Sequence, residues 1–170
     1  MRETMERRIR FQLDLKATPE EVWDAWLTAH TFFAPESKID ARPGGAYEMY
    51  FDLAAAPGSR GGEGLVFLAL QRPHLISFTW NAPPHLADVR PQHTHITVRL
   101  EPLANGTRLH FCEDGFGQGG QWEQRIEYFR RAWGKVILPR LAYRFDKGPV
   151  DWAHPPDLDA YVDLVTEIRE

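Results

Sequence analysis

The chain has 170 residues, 43% of them hydrophobic and 26% charged, with a formal net charge of −4 at pH 7. That size fits one domain with a real core, and the balance is that of an ordinary globular protein. Dispersed Lys and Arg in an acidic chain argue against a general nucleic-acid binder, no run reaches the roughly 18 apolar residues of a membrane span, and a lone Cys112 excludes an intrachain disulfide and a Cys-based zinc site.

Residues 1–10 are charged and lack an apolar h-region, so no secretory signal is read and a cytoplasmic location is expected. Ile9, Phe11, Leu13 and Leu15 alternate with Arg8, Arg10, Gln12 and Asp14, the period of a half-buried strand. Thr18-Pro19-Glu20-Glu21 reads as a helix start, with Thr18 as N-cap, Pro19 at N1 and Glu21 closing a capping box. The helix runs to near His30 with Val22, Trp23, Trp26 and Leu27 inward, and the two glutamates are capping residues, not a catalytic pair.

After the Arg42-Pro43-Gly44-Gly45 turn, Tyr47, Met49, Phe51 and Leu53 alternate as a second strand. Residues 65–70 are apolar on both parities, a strand whose inward face the pattern leaves open. Leu75–Trp80 puts Ile76, Phe78 and Trp80 on one face, and Pro83, Pro84 and Pro91 make residues 82–92 a loop, placed where a lid would sit. Strands 94–100, with Ile96, Val98 and Leu100 inward, and 107–113 are joined by Asn105-Gly106, a strong hairpin signal.

Residues 120–145 form a long helix. Trp122, Ile126, Phe129, Trp133, Val136, Ile137 and Leu141 share a stripe, acids open the helix and Arg and Lys follow, and Pro139 is expected to bend rather than stop it. Lys147-Gly148-Pro149 breaks the helix. In the tail, Leu158, Val162 and Val165 recur at helical spacing, predicting a short amphipathic acidic helix that docks on its own domain or on a second copy, so a homodimer is one expected outcome. The domain reading is 1–146 for the main body and 147–170 for a C-terminal extension.

This order suggests an α+β fold, a curved antiparallel sheet around a long C-terminal helix. The stretch Ala17-Thr18-Pro19-Glu20-Glu21-Val22-Trp23-Asp24-Ala25, the turn at 42–45, the Leu75–Trp80 segment, and Gly106-Thr107-Arg108-Leu109 through Asp114-Gly115-Phe116 resemble, in order and spacing, the Hsp90-ATPase-activator homologue (AHSA1-like) family of the START, Bet v 1 and polyketide-cyclase superfamily. The resemblance covers roughly residues 8 to 145. It implies a helix-grip fold with a cavity between sheet and helix, whose members bind or transform apolar small molecules. The chain departs from the family pattern at Phe32 and Phe33, where a tryptophan is usual after the first helix, and at Glu113, where relatives often carry a histidine.

Glu113 is the sharpest chemical candidate: period two carries it to the face of Leu109 and Phe111, where desolvation would raise its pKa and suit a general acid or base. Its neighbour Asp114 points to the opposite face, so the two are no carboxylate pair. His93 and His95 share the outward face without a third ligand, so no metal site is read. Gly115, Gly117 and Gly120 match a dinucleotide fingerprint literally, but no parallel strand follows and no cofactor is expected. The expected site is an apolar one lined by Trp26, Phe33, Tyr47, Met49, Phe51, Phe78, Trp80, Trp122, Phe129 and Trp133 with Glu113. The leading expectation is a binder of an apolar or aromatic small molecule. A cyclase, hydrolase or lyase using Glu113 is the alternative, and an Hsp90 cochaperone comes last, because the chain lacks the additional N-terminal domain of the eukaryotic activators.

Overall fold

The computed structural model describes residues 7–169, so most of the charged stretch that opens the chain lies outside the described residues. Strand β1 (Ile9–Leu15) buries its four alternating apolar side chains. Helix α1 (Pro19–Leu27) starts on the capping box: the Thr18 hydroxyl accepts from the Glu21 N–H at 3.2 Å, and the Glu21 carboxylate accepts from the Thr18 N–H at 3.1 Å. One face of the helix delivers Val22, Trp23 and Trp26 to the core, and a 3-10 turn (Ala29–Thr31) follows.

Strands β2 (Glu36–Ile39), β3 (Tyr47–Tyr50) and β4 (Gly61–Gly62) form a small antiparallel sheet. Strands β5 (Phe67–Gln71), β6 (Leu75–Trp80), β7 (Thr94–Leu103) and β8 (Gly106–Asp114) join β1 and β9 (Val165–Glu167) in a larger one, ordered β5-β6-β7-β8-β1-β9. An Ala46–Val66 bridge ties the two sheets into one curved surface. The Asn105-Gly106 turn sets the β7–β8 register, with Leu103 opposite Gly106 and Ile96 opposite Glu113.

The second strand is shorter than its alternation predicts. Tyr47 and Met49 are buried, but Phe51 and Leu53 leave the strand and are 40% and 45% exposed. The backbone explains the difference: the N–H groups of Phe51 and Asp52 both turn to the Arg60 carbonyl, at 2.8 and 3.1 Å, and fold the chain into a loop instead of a ladder.

The helix that faces the sheet runs without a break from 122 to 147 as α2 (Trp122–Arg131), a π-helical segment (Ala132–Ile137) and α3 (Leu138–Lys147). Just ahead of Pro139, where a bend is expected, the helix widens: the Leu138 N–H reaches back five residues to Trp133 O, and Pro139, which has no N–H to give, follows at the start of α3. Gly134 lets this segment approach β1, since a Cβ there would meet Phe11 Cζ at 2.7 Å. Among the described residues no helix is long and apolar enough to cross a membrane.

The tail also differs from its prediction. Only one turn, α4 (Asp159–Val162), is helical; Val165 lies on β9, which pairs antiparallel with Phe11, Gln12 and Leu13 of β1. The helical spacing of Leu158, Val162 and Val165 therefore spans two elements. What anchors the turn is Tyr161, buried against Tyr143 and donating to Asp146 Oδ2 at 2.6 Å. The segment packs on its own domain, with Glu167 accepting from Arg130 Nε at 2.7 Å.

Candidate functional site

At the end of β6 the chain leaves the sheet beneath α2, and here a pocket of about 220 Å³ opens. Its walls are the rings of Phe51, Trp80, Tyr128 and Phe129, with Pro83 and Pro84 at one side and Asn81 and Arg90 among its polar residues. A wider groove of about 830 Å³ lies between the helix, β1 and the C-terminal tail. That groove is walled largely by charged groups, several already paired with one another, such as Arg130 with Glu127 and Glu167.

The loop of residues 82–93 is a fixed wall of the pocket and not a free lid. Arg90 donates to the carbonyls of Ala82, Gly58 (2.8 Å) and Gly61 (2.9 Å), which pins it to the loop that carries β4. Asp88 N–H donates to Gln121 Oε1 at 2.9 Å. From α2, Arg125 reaches under the loop and donates to Val89 O at 2.7 Å and Gln92 O at 2.6 Å. The same guanidinium holds the sheet, donating to Trp80 O at 3.2 Å and Thr94 Oγ1 at 3.1 Å. Trp122 lies against its face, 4.9 Å away, so a fully buried cation is met by carbonyl dipoles and a ring.

Glu113 sits behind this wall, completely buried. Its oxygens accept from Thr94 Oγ1 at 2.7 Å and from Trp133 Nε1 at 2.8 Å. Burial raises its pKa to about 7, against the lowering pull of those two hydrogen bonds and of the Arg125 charge. Burial likewise draws Arg125 down to about 10, with Glu113 opposing. Thr94 links the two: its hydroxyl accepts from Arg125 and donates to Glu113, and a second, longer acceptor, Trp80 O, stands 3.4 Å away. When Glu113 is protonated its O–H can donate to Thr94 Oγ1 while the threonine proton turns to Trp80 O. Both charge states thus keep every partner.

The sequence model described as "Activator of Hsp90 ATPase homolog 1-like protein" matches residues 16–145, most of the chain. The chain belongs to the AHSA1-like family. No curated protein matches it. Solved structures with the same fold include the Aha1 dimer from Colwellia psychrerythraea, 18% identical over 84% of this chain and 98% of that one, TM-score 0.64. CalU16 from Micromonospora echinospora is 20% identical over 93% of this chain and 83% of its own, TM-score 0.61. DynU16, a protein in the dynemicin biosynthetic locus, is 16% identical with TM-score 0.61; the match covers 84% of this chain and 48% of that one, so this chain spans about half of it. These likenesses show that the AHSA1-like domain shares its fold with those proteins.

Of the residues expected at the site of this AHSA1-like domain, Phe51, Trp80 and Phe129 line the pocket. Phe33, Phe78 and Trp133 stand one ring behind, with centroids 5.5, 6.0 and 5.2 Å from that of Trp80. Trp26, Tyr47 and Met49 are deeper in the core, where the Tyr47 hydroxyl donates to Trp26 O at 2.6 Å and so finds its partner inside the protein. Trp122 packs on the far side of Arg125, over Gly117, where a Cβ would meet its Nε1 at 2.4 Å. Glu113 does not line the pocket; Trp133, which donates to it, packs against Trp80 at the pocket wall. Among the described residues no three His, Cys, Asp or Glu gather as a metal site would require.

Sequence reasoning missed Arg125, Thr94, Asn81 and Arg90. The signal for Arg125 was its place on the buried stripe, three residues after Trp122 and four before Phe129. Thr94 shares the inward parity of Ile96 and Val98, a polar residue where the pattern asks for an apolar one. Asn81 and Arg90 carry no such mark, because loop contacts decide their roles.

Proposed function

We propose that the protein binds a small aromatic molecule in the pocket between the end of β6 and α2. The observation that carries this reading is the pocket itself, a concavity of about 220 Å³ walled by four aromatic rings and held open by Arg90 and Arg125. A closed cavity of about 150 Å³ already holds benzene, so this one suits a substituted ring or a fused pair, with a larger ligand projecting past Phe51 and Tyr128, both partly exposed. The fold supports the reading, being that of a superfamily of ligand-binding and cyclase-like proteins. Nothing in the geometry favours Glu113 as an acid or base toward such a ligand, since Thr94 and Trp133 occupy its oxygens and it lies outside the pocket.

The test is a thermal-shift and calorimetric screen of one- and two-ring aromatics against the wild type and Ser59→Trp. Ser59 is an exposed residue of the pocket lining, so a large ring there fills the pocket at little cost to the core. A ligand at about 100 times its Kd stabilises by about 2.7 kcal/mol, which raises Tm by about 5 to 10 °C for a chain this size. Binding that survives Ser59→Trp unchanged would place the ligand elsewhere.

A further inference from the structure

We infer that the ligand carries a hydroxyl group on its ring, read by Asn81. The inference rests on the pocket reading above and adds the polar half of the ligand's chemistry. Asn81 is 6% exposed, and its amide orientation is fixed: Nδ2 donates to Gly61 O at 3.1 Å, an acceptor that only the nitrogen side can meet. Gly61 O is itself held in place by Arg90 Nη2 at 2.9 Å, and a flipped amide would set Oδ1 against that carbonyl oxygen, acceptor against acceptor. Its Oδ1 therefore points the other way, and no described residue donates to it. Nor is it a sealed, unsatisfied oxygen; the small surface Asn81 keeps belongs to the pocket it lines.

The residue beside it completes the picture. Trp80 is 3% exposed, and its indole N–H donates to no described residue. Unlike the Trp26 N–H, which is sealed among Phe32 and Phe33, that of Trp80 is open. Among the pocket's polar residues, Asp52, Arg60 and Arg90 already bond to backbone groups, whereas Trp80 and Asn81 present an unused donor and an unused acceptor on successive residues. A hydroxyl is the smallest ligand group that both gives and takes a hydrogen bond. A plain hydrocarbon would bury Asn81 Oδ1 without a donor, and an ether in the same place could accept from Trp80 but give nothing to Asn81. A site built around a hydroxyl rejects the analogue lacking it because its own buried polar atoms are left unpaired.

The experiment compares 2-naphthol, 2-methoxynaphthalene and naphthalene by calorimetry on the wild-type chain, with the side-chain amide of Asn81 and the indole N–H of Trp80 followed by NMR. The expected result is that 2-naphthol binds about tenfold or more tightly than either analogue and shifts both resonances. In Asn81→Ala that preference should collapse to within about twofold. Equal binding of all three compounds to the wild type overturns the hydroxyl assignment and leaves the aromatic pocket standing. A preference that persists in Asn81→Ala overturns the role of Asn81. Failure of all three to bind overturns the pocket reading and this inference together. Should Asn81→Ala not fold, the wild-type comparison and the two resonances still decide the matter.

Discussion

Replacing Glu113 by Gln should make the protein more stable at alkaline pH and leave it nearly unchanged in acid. In the fold Glu113 has its pKa raised from 4.5 to about 7 by burial, so the folded state holds the proton more tightly than the unfolded chain. The stability this gives is fully present below about pH 4.5 and is lost as pH rises through about 7. At 1.36 kcal/mol per pH unit the ionised carboxylate costs about 3 kcal/mol at pH 8. Glutamine avoids the charge and keeps the partners: its Oε1 accepts from Trp133 Nε1 and its amide N–H donates to Thr94 Oγ1, whose proton turns to Trp80 O. Urea unfolding followed by tryptophan fluorescence at pH 4, 5, 6, 7 and 8 should show wild type and Glu113→Gln coinciding at pH 4. They should then diverge to about 3 kcal/mol at pH 8, or about 6 to 12 °C in Tm. Asp14 and Glu63, whose pKa values are lowered in the fold, act in the opposite direction. They are common to both proteins and cancel in the difference. A difference that stays flat from pH 5 to 8, or a variant less stable at pH 8, would refute the assignment of the buried charge.

Three further outcomes follow from the packing. Arg125→Met should cost about 3 kcal/mol or more by leaving Val89 O, Gln92 O and Trp80 O without their donor, and limited proteolysis should reveal new cleavage within residues 82–93. Gly134→Ala should destabilise by about 1 to 3 kcal/mol despite the better helix propensity of alanine, because the new Cβ would stand 2.7 Å from Phe11 Cζ; a more stable variant in urea would show that the ring yields freely. Thr18→Ala should cost about 1 kcal/mol in the same assay by removing the cap on α1.

Local rules carried most of the architecture. The alternation in β1, β7 and β8, the Thr18 capping box and the Asn105-Gly106 turn are signals that act within a few residues, and each appears in the structure as read. The inward aim of Glu113 followed from parity alone. What was not legible depends on partners distant in sequence. Phe51 shares the parity of Tyr47 and Met49, but its backbone bonds to Arg60 and not to a neighbouring strand. Val165 reads as helical by spacing, yet β1 recruits it as a strand. The aromatic residues could not be sorted in advance into those that fill the core and those that border a space, since burial of Trp26 and exposure of Phe51 depend on where the loops close. Pro139 announced an irregularity, but a proline alone does not say that it takes the form of a widened turn just ahead of the ring.

The sheet described here ends in short strands. At one side β2 has four residues, and at the other β9 has three; β5, with five, already has Phe67 bonded to Gly44 and Gly45. An incoming extended segment would find a rail only a few peptide units long, too little for the backbone ladder that drives runaway strand addition. The geometry of these edges thus works against open-ended stacking of copies through their backbones.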